Sequence, residues 1–391
     1  MPKIESVVKS REIVTSIKSI DQAYWENVVE KRNVYLSYGY LKALEESMKE
    51  EMDFYYSISY NQNDEPVLVS AFQIVTFTDK RKHQPNQLIS CVSRAKSKLF
   101  TFNVLVCGNV FSDGENGFIN SDSLSKKSAI NEMVILSKQI KKHSNKANKK
   151  ASLFLFKEFW AKENTYGKLF KNHSFREFMI DVNMILPIHD TWNNLDEYLF
   201  SLKTKYRTRA KSVYKKSEDL VFKDLSSQEI SSSGVRIEEL FNNVAEKSNF
   251  SFGKIKPLAF VKLKEELGAK FILKGAFYRG ELIGFSTALL NNNILEANYV
   301  GIDYGKNNTY SIYQRLLYDY IEQAILLKVK ELHLGRTSEL IKSALGAVPE
   351  NMNLYAKHNS TLHNMILKPI FHFISPSKFE LRKPFKQEFS N

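Results

Sequence analysis

The chain has 391 residues, with 56 lysines and arginines against 43 aspartates and glutamates, and its formal charge is +13. Hydrophobic residues make up 43% and aromatic residues 13%, enough to build packed cores, which excludes an intrinsically disordered protein. The two cysteines, Cys91 and Cys107, exclude a disulfide scaffold and a cysteine-rich zinc site, and they indicate a reducing, cytosolic setting. The length predicts two domains, and the charge predicts a polyanionic partner: nucleic acid, a phosphorylated cofactor, an acidic carrier protein or an anionic membrane surface.

The first residues contain no apolar core of the kind that a signal peptide needs. No stretch approaches the roughly 20 apolar residues of a membrane-spanning helix. We therefore expect a cytoplasmic protein that is soluble or, at most, peripheral on the inner face of a membrane.

The first half predicts a helix, a β-hairpin, a third strand, a long helix and a buried strand. Ser37 is placed to cap the first helix, and the polar NQNDE turn joins the strands of the hairpin. A polar, basic loop is expected over residues 80–98, and a flexible basic connector over residues 141–150. The predicted bounds are Tyr40–Met48, Phe54–Tyr60, Pro66–Phe77, Phe102–Cys107, residues 125–142 and Ser152–Phe156.

The second half repeats this order. Its predicted bounds are Leu258–Leu267, Phe271–Tyr278, Glu281–Leu290, Ile294–Ile302, Ile312–Ile325 and Val329–Leu334. A recurring order of elements predicts two similar α/β units in tandem, residues 1–190 and 191–391, with the boundary near Leu186–Asn194.

A strongly basic helix is predicted where the second unit begins. Apolar residues at helical spacing mark one buried face: Leu199, Leu202, Tyr206, Ala210 and Val213. The other faces carry seven cations before the first acid, Glu218: Lys203, Lys205, Arg207, Arg209, Lys211, Lys215 and Lys216. Because uncompensated like charges destabilise a helix, we interpret this helix as an anion-binding surface, with Lys203, Arg207 and Lys211 as binding candidates. A solvated helix face is the alternative.

The segment from Glu331 to His358 is the most informative for chemistry. A strand ends at Leu334, Gly335 permits a sharp turn, and Ser338 is placed to cap a short helix that ends at Gly346. This places Arg336, Glu339 and Lys342 at a strand end beside a helix N-terminus, where ligands of α/β sheets commonly bind. An arginine–glutamate pair that braces a tight loop is the alternative.

Standard phosphate-loop, dinucleotide, nucleophile-elbow and metalloprotease motifs are absent, and the scattered histidines predict no metal site. Three segments nevertheless carry a resemblance: SLKTKYRTRAKSVYKKSEDL, FYRGELIGFSTALLNNNILEANYVGID and YSIYQRLLYDYIEQAILLKVKELHLGRT. With the turn before LGAVP, they resemble the Fem-type peptidoglycan peptidyltransferases and their FemAB-like relatives, in the GNAT (Gcn5-related N-acetyltransferase) superfamily. The first half resembles the family more weakly, through YLSYGYLKALEES and VLVCGNVFSDGENGF.

The resemblance implies an α/β (α+β) fold of two tandem GNAT-like units, each a mixed, mostly antiparallel sheet flanked by helices. It also implies an N-acyltransferase without a tightly bound cofactor, whose phosphate-bearing donor is acyl-CoA, acyl-carrier protein or aminoacyl-tRNA. The amine acceptor would belong to a cell-envelope precursor, an amino lipid or a peptide. The family's turn lysine matches Lys342, and its strand-end Gly-Arg matches Gly335-Arg336. The stretch GIDYGKNNTY lacks the Q/R-x-x-G-x-G/A loop that holds the pyrophosphate of coenzyme A.

Transfer to an amine needs a proton acceptor, aligned substrates and a donor for the developing oxyanion. On the strand Ile294–Ile302, period-two alternation places Glu296, Asn298 and Val300 on one face and Tyr299 on the other. Glu296 is the candidate acid or base, with a solvent-facing edge charge as the alternative. Tyr299 and Tyr310 are candidates to donate hydrogen bonds or to stack on a ligand.

The tail from Asn364 mixes apolar and basic residues, which predicts either a membrane-surface contact or a segment packed on the second unit. For the whole chain, the first hypothesis is the N-acyltransferase, with a cleft lined by Arg336, Lys342 and the basic helix. The alternative is a non-catalytic binding protein whose basic face holds nucleic acid or an acidic partner.

Overall fold

The structure is a computed structural model, and it describes residues 7–78, 101–146, 150–162, 166–246, 254–365 and 379–389. The loop predicted over residues 80–98, part of the basic connector and residues 366–378 of the tail lie outside the described residues. No helix within the described ranges combines the length and the apolarity that crossing a membrane requires.

The strands, in chain order, are β1 (Ser10–Val14), β2 (Asp53–Tyr60), β3 (Pro66–Thr78), β4 (Thr101–Cys107), β5 (Phe118–Asn120), β6 (Ala151–Trp160), β7 (Arg176–Phe178), β8 (Val182–Pro187), β9 (Val221–Asp224), β10 (Phe271–Tyr278), β11 (Glu281–Asn291), β12 (Ile294–Ile302), β13 (Glu331–His333) and β14 (Val348–His358).

The α-helices are α1 (Gln22–Val29), α2 (Tyr38–Met48), α3 (Lys126–Lys146), α4 (Gly167–Asn172), α5 (Leu195–Ser201), α6 (Thr204–Lys216), α7 (Ser227–Ser232), α8 (Gly234–Ala245), α9 (Pro257–Leu267), α10 (Tyr304–Tyr310), α11 (Ile312–Leu326) and α12 (Glu339–Ser343).

Capping chemistry explains where several helices begin. The side chain of Ser37 accepts the backbone N–H of Tyr40 at the start of α2, as the sequence predicted. Ser226 and Glu229 form a capping box on α7. Proline at the first position of α9 costs no hydrogen bond there. These local signals act together with the apolar periodicity that the sequence analysis used.

The described strands form one continuous sheet in the order β1-β2-β3-β4-β6-β14-β8-β13-β12-β11-β10-β9, with β5 beside β3 and β7 beside β14. Most neighbours are antiparallel, and the parallel pairs are β4 with β6 and β12 with β13. Each half therefore carries the predicted helix, hairpin, third strand, long helix and buried strand, which confirms the predicted fold class.

The two halves exchange strands at their junction. β8 precedes the predicted boundary at residue 190, yet it pairs with β13 of the second half. β14 starts beside β8 and continues beside β6 of the first half. This exchange joins the halves through backbone hydrogen bonds, and the boundary at residue 190 stays a prediction.

Helices cover both faces of the sheet. On one face, α2 packs against α9 of the other half, and Lys42 Nζ lies 2.7 Å from Glu266 Oε1. The shared core on this face contains side chains of both halves, including Trp25, Tyr56 and Phe285. On the other face, α3 covers the first half, and α5, α6 and α11 cover the second. The core on the first face therefore binds the halves together.

Candidate functional site

The parallel strands β12 and β13 diverge after only three paired residues. Their register runs from Ile294 opposite Glu331 to Glu296 opposite His333. Beyond that point β12 continues along β11, whereas residues 334–335 turn toward β8, where Leu334 N donates to Met184 O at 2.8 Å. The separation opens a wedge between the two strands, which we call the second-half wedge.

A β-bulge changes which side chains of β12 face this wedge. Ser286 lies opposite Val300, and Ala288 lies opposite Ala297, so β12 has one residue more than β11 over this stretch. A bulge places two consecutive side chains on the same side of a strand. Tyr299 accordingly packs in the core that α2 and α9 share, whereas Ala297 and Val300 pack under α11. The alternation predicted for Tyr299 and Val300 is therefore wrong.

Glu296 is buried rather than exposed at a sheet edge. Its side chain is 8% exposed, and Asn291 Nδ2 donates to its Oε1 at 2.8 Å. The Tyr35 hydroxyl also hydrogen-bonds to this carboxylate, and Asn298 Nδ2 donates to the Tyr35 oxygen at 2.9 Å. Burial raises the pKa of Glu296, although His333, Asn291 and Tyr35 act against the shift.

Asn298 contributes a second acceptor beside Glu296. Its Oδ1 is buried and has no hydrogen-bond partner in the part of the chain that the structure describes. Leaving such an atom unpaired costs free energy, so an unpaired acceptor beside a carboxylate indicates a place for a ligand N–H or O–H.

Lys342 lies on the other wall of the second-half wedge. It is 4% exposed, and its Nζ donates to the carbonyl oxygens of Gly335, at 3.1 Å, and of Arg336. Burial lowers the pKa of Lys342 to about 8, although Asp113 and Glu339 act in the opposite direction. Two of the three N–H groups of the ammonium are thus occupied by the turn.

The turn that holds Lys342 is conformationally constrained. Gly335 has φ = 72°, and Thr337 and Ser338 have φ of 62° and 56°. Non-glycine residues rarely adopt these values, and they cluster at functional sites. Ser338 occupies the N-cap of α12, but its side chain makes no capping hydrogen bond. It hydrogen-bonds to Tyr313 instead, which corrects the predicted capping role.

Arg336 joins this turn to the first half. Its Nε lies 3.2 Å from Asp113 Oδ1, and its guanidinium also pairs with the fully buried carboxylate of Glu158. Lys157 Nζ lies 2.7 Å from Glu158 Oε2. Burial would raise the pKa of Asp113, but the charges of Arg336, Lys157 and Lys342 outweigh it and lower that pKa. We call Asp113, Lys157, Glu158 and Arg336 the junction ion-pair network.

The loop of residues 108–117 brings Asp113 into the second-half wedge. The Tyr299 hydroxyl donates to Phe111 O at 2.9 Å, and Gly114 N donates to Glu158 Oε2 at 2.8 Å. A side chain built on Gly335 would approach Asp113 Oδ2 to 3.3 Å. The first half therefore supplies one wall of the second-half wedge.

A cavity of about 210 Å³ lies where the corresponding strands of the first half, β4 and β6, diverge. Its lining includes Cys107, Lys157, Lys126, Arg32 and Asn33. The predicted lining of Arg336, Lys342 and the basic helix does not surround it. Lys157 belongs to both this cavity and the junction ion-pair network, so the cavity adjoins the network.

The structure brings some of the predicted site residues together and leaves others apart. Five of them lie near Asp113, namely Glu296, Tyr299, Gly335, Arg336 and Lys342. Asn298 is joined to Glu296 through Tyr35, and the charge of Glu339 acts on Lys342. Tyr310, at the end of α10, contacts Tyr278, with ring centroids 4.7 Å apart and the ring planes tilted by 39°. Lys203 caps α6, and no described hydrogen bond or ion pair joins Lys203, Arg207 or Lys211 to the wedge.

Sequence reasoning missed Asp113, Lys157, Glu158 and Tyr35. Two adjacent charges inside the apolar strand FLFKEFW were a signal, because buried charges must be paired. Asp113 and Tyr35 gave no such signal, since only the tertiary fold brings them to β12 and β13. Among the described residues, no group of three or more metal-ligating side chains is present.

Three solved structures share this fold. FemX matches at 11% identity over 92% of this chain and 100% of its own, with a TM-score of 0.57. The lysylphosphatidylglycerol synthetase L-PGS of Bacillus licheniformis matches at 11% identity over 90% and 97%, with a TM-score of 0.52. A tandem GNAT protein of the clavulanic acid biosynthesis pathway matches at 7% identity over 90% and 99%, with a TM-score of 0.50.

No protein-family model and no curated protein matches the sequence. The structural similarity therefore establishes the fold: two tandem GNAT-like units of the kind found in FemX, as the resemblance implied.

Proposed function

We propose that this protein is an N-acyltransferase that moves an acyl or aminoacyl group from an activated donor to an amine. The observation that carries the proposal is the pair of acceptors on the bulged strand β12. The buried carboxylate of Glu296 and the side chain of Asn298, whose Oδ1 is unpaired among the described residues, both hydrogen-bond to the Tyr35 hydroxyl, in a fold shared with FemX and a lysylphosphatidylglycerol synthetase. Two acceptors suit the N–H groups of an attacking amine.

In this proposal the amine nitrogen attacks the carbonyl carbon of an ester or thioester. The new C–N bond forms, the C–O or C–S bond breaks, and the amine proton passes to Glu296. A carboxylate with a raised pKa is a better proton acceptor than an ordinary one. The departing alkoxide or thiolate then takes this proton from Glu296, which returns the carboxylate to its starting state.

Lys342, Arg336 and Tyr299 hold the opposite side of the wedge in this proposal. The third N–H of the Lys342 ammonium is available for the oxygen that becomes negative during attack, an electrostatic role. Arg336 and Gly335 position the turn that carries it, and Glu339 adds negative charge beside it. Tyr299 fixes the loop of residues 108–117 through Phe111.

The donor is an aminoacyl-tRNA, an acyl-carrier protein or acyl-CoA. Where coenzyme A-binding relatives have a glycine loop, this chain has α10, capped by Asp303. The Asp303 carboxylate already accepts Gly305 N at the N-terminus of this helix, where a pyrophosphate would otherwise bind, and this supports a donor held by a larger carrier. Lys203, Arg207 and Lys211 on the exposed faces of α6 are the proposed contacts for that carrier, and Tyr310 lies on the neighbouring α10.

The acceptor is an amine of a cell-envelope precursor, an amino lipid or a peptide. The similar structures include a lysylphosphatidylglycerol synthetase, whose name describes an aminoacylated lipid, and this supports a membrane-associated acceptor. We place the protein in the cytoplasm, with peripheral contact to the inner face of the membrane.

Incubation with labelled aminoacyl-tRNA, acyl-carrier and acyl-CoA donors, each with a panel of amine acceptors, tests the proposal. We expect label on an amine from one donor class, and Lys342→Met to reduce transfer strongly while the protein stays folded by circular dichroism. No transfer from any donor would contradict the enzyme hypothesis. Unfolding of Lys342→Met would show that this lysine only braces the turn.

A non-catalytic binding protein is the second candidate. Arg336 and Lys342 are both engaged in internal contacts, and among the described residues none of the α6 cations forms an ion pair. This protein would use α6 to bind nucleic acid or an acidic partner. Tight tRNA binding without any transfer, lost in Arg207→Glu/Lys211→Glu, would favour this alternative.

A further inference from the structure

A second cationic surface lies at the end of the first half where β6 begins and β14 ends. We call it the histidine–lysine surface, and its members come from α3, the α4–β7 turn, β14 and the residues after it: Lys138, Lys141, His173, Lys357, His358 and His363. From the start of β6 to Glu158 the strand spans about 23 Å at 3.3 Å per residue. The surface is therefore remote from the second-half wedge. The inference rests on the proposed function only for its membrane contact, and vesicle binding can be measured whether or not the protein transfers an acyl group.

Specific contacts hold these groups close together. Lys357 Nζ donates to His173 O at 2.7 Å, and the rings of His358 and His363 lie 4.8 Å apart. Asn364 links the end of β14 to the α4–β7 turn. Its Oδ1 accepts a hydrogen bond from His358 N at 3.0 Å, and its Nδ2 donates to Ser174 O at 2.9 Å. These hydrogen bonds and the ring contact thus hold the cluster together as one structural feature of the surface.

Among the described residues, none of the six members of this surface forms an ion pair with an aspartate or a glutamate. Burial and the charges of Lys138 and Lys357 lower the pKa of His173. Burial, His363 and Lys141 lower the pKa of His358, and burial and Lys138 lower that of Lys357. The groups repel one another, and an external anion would relieve that repulsion.

Two aliphatic side chains project beside the cations. Leu362 is 67% exposed and Met365 is 63% exposed, three residues apart in one helical turn that also contains His363. Residues three apart in a helix share one face. Exposed leucine and methionine beside lysines suit a lipid interface, where cations stay at the phosphates and apolar side chains enter the acyl boundary. Single-stranded nucleic acid would instead be expected to find aromatic stacking platforms.

We propose that the histidine–lysine surface, with Leu362 and Met365, docks the protein on an anionic phospholipid membrane. The lysines face the lipid phosphates, Leu362 and Met365 enter the interface, and His173 and His358 become charged when the surface meets the lipid. Because an anionic surface favours the protonated imidazole, binding strengthens as the pH falls through the range in which histidine titrates.

Sedimentation with vesicles tests this proposal on the full-length protein. We expect the wild type to bind vesicles of phosphatidylcholine containing one-third phosphatidylglycerol, and not vesicles of phosphatidylcholine alone. Lys138→Glu/Lys141→Glu should weaken binding at least about tenfold, since each lysine near an anionic membrane contributes about 1 kcal/mol. The matched control Lys49→Glu/Lys270→Glu, with the same change in net charge at exposed positions elsewhere, should bind like the wild type.

Two further variants separate the parts of the surface. Leu362→Ser/Met365→Ser should weaken vesicle binding with no change in charge. His358→Gln/His363→Gln should bind at about pH 8 like the wild type but lose the strengthening toward about pH 6. Equal losses in both charge-reversal variants would overturn the proposal, because net charge alone would then explain binding. Tighter binding to RNA than to vesicles, lost in the same variants, would overturn it in favour of a nucleic-acid surface.

Discussion

The two halves contain the same pair of parallel strands, but the strands separate differently. In the first half β4 and β6 remain paired as far as Cys107 and Phe156, and their divergence opens onto a cavity. In the second half the pairing ends at Glu296 and His333, and a loop of the first half enters the gap. One fold has thus produced a cavity in one half and a closed, polar wedge in the other.

The two sites also differ in the groups that hold their buried carboxylates. Glu158, on the first-half strand, is fully buried and pairs with both Lys157 and Arg336. Glu296, on the second-half strand, is held by Asn291 and Tyr35, and within the described ranges it forms no ion pair. A carboxylate locked between two cations stabilises a junction, whereas one held only by neutral groups is free to exchange a proton. The comparison therefore supports the proposal that Glu158 stabilises the junction and Glu296 takes part in the chemistry.

Removing the structural carboxylate should have the largest effect on stability. Glu158→Ala removes the ion-pair partner of the buried Lys157 and leaves Arg336 with Asp113 alone, and breaking a buried pair in this way costs about 3–5 kcal/mol. Urea unfolding monitored by circular dichroism measures the loss. The control Glu281→Ala, at an exposed ion pair, should cost less than about 1 kcal/mol. Similar losses in the two variants would show that the junction ion-pair network does not hold the halves together.

The pH dependence of stability should reveal the buried lysine of the second half. The pKa of Lys342 is about 8 in the folded protein and lies near 10.5 when it is exposed. Between these values the unfolded chain binds more protons, so this group makes stability rise with pH. Relative to Lys342→Met, the wild type should gain about 2 kcal/mol between about pH 8 and about pH 9.5. A constant difference across this range would mean that Lys342 is not buried as described.

Removing the hydroxyl of Tyr299 should have the smallest effect on the free energy of unfolding. Tyr299→Phe removes one hydrogen bond to Phe111 O while the ring keeps its packing against Phe241 and Phe260. We expect a loss of about 1 kcal/mol in the free energy of unfolding. Hydrogen exchange should increase in residues 108–117, since the tyrosine fixes this loop in the wedge. Unchanged hydrogen exchange in residues 108–117 would show that the Tyr299 hydroxyl does not fix this loop.

Local patterns were sufficient to predict most of the elements that build these two sites. Phe271–Tyr278 and Ile294–Ile302 agree with the structure to the residue, because apolar runs and turn residues define their ends. The basic helix forms as Thr204–Lys216, with Ala210 and Val213 in the core, but the predicted single apolar face from Leu199 to Val213 is wrong because the chain is extended at Leu202 and Lys203, between α5 and α6. Residues 379–389 of the tail pack on the second half through Phe385, as one of the two alternatives held.

The rest depended on contacts between residues distant in the sequence. The short strand β8 gave no strong periodic signal, and only pairing across the junction defines it. The bulge at Asn298 and Tyr299 arises from register with β11, which no property of β12 alone reveals. Asp113 reaches Arg336 from a position more than two hundred residues earlier in the chain. Reasoning from a single sequence therefore missed the residues that reach the site only through the tertiary fold.

The cations that produce the net charge of +13 lie at several distinct places. The cations of α6 lie on exposed faces near α10 and α11, and those of α3 and β14 form the histidine–lysine surface. Arg336 and Lys342, by contrast, form an ion pair and hydrogen bonds within the wedge. The excess charge thus lies on the two surfaces that we propose for docking, and the charges of the candidate site itself are close to balanced.

The most direct test of the central claim compares two buried carboxylates. Glu296→Gln and Glu132→Gln each remove one buried charge, but Glu132 pairs with Arg11 far from the wedge. With the donor that gives the fastest transfer, Glu296→Gln should lower the rate constant by about 100-fold or more, the scale of a general base. Glu132→Gln should stay within about threefold of the wild type. Equal rates in the two variants would contradict the assignment of proton transfer to Glu296.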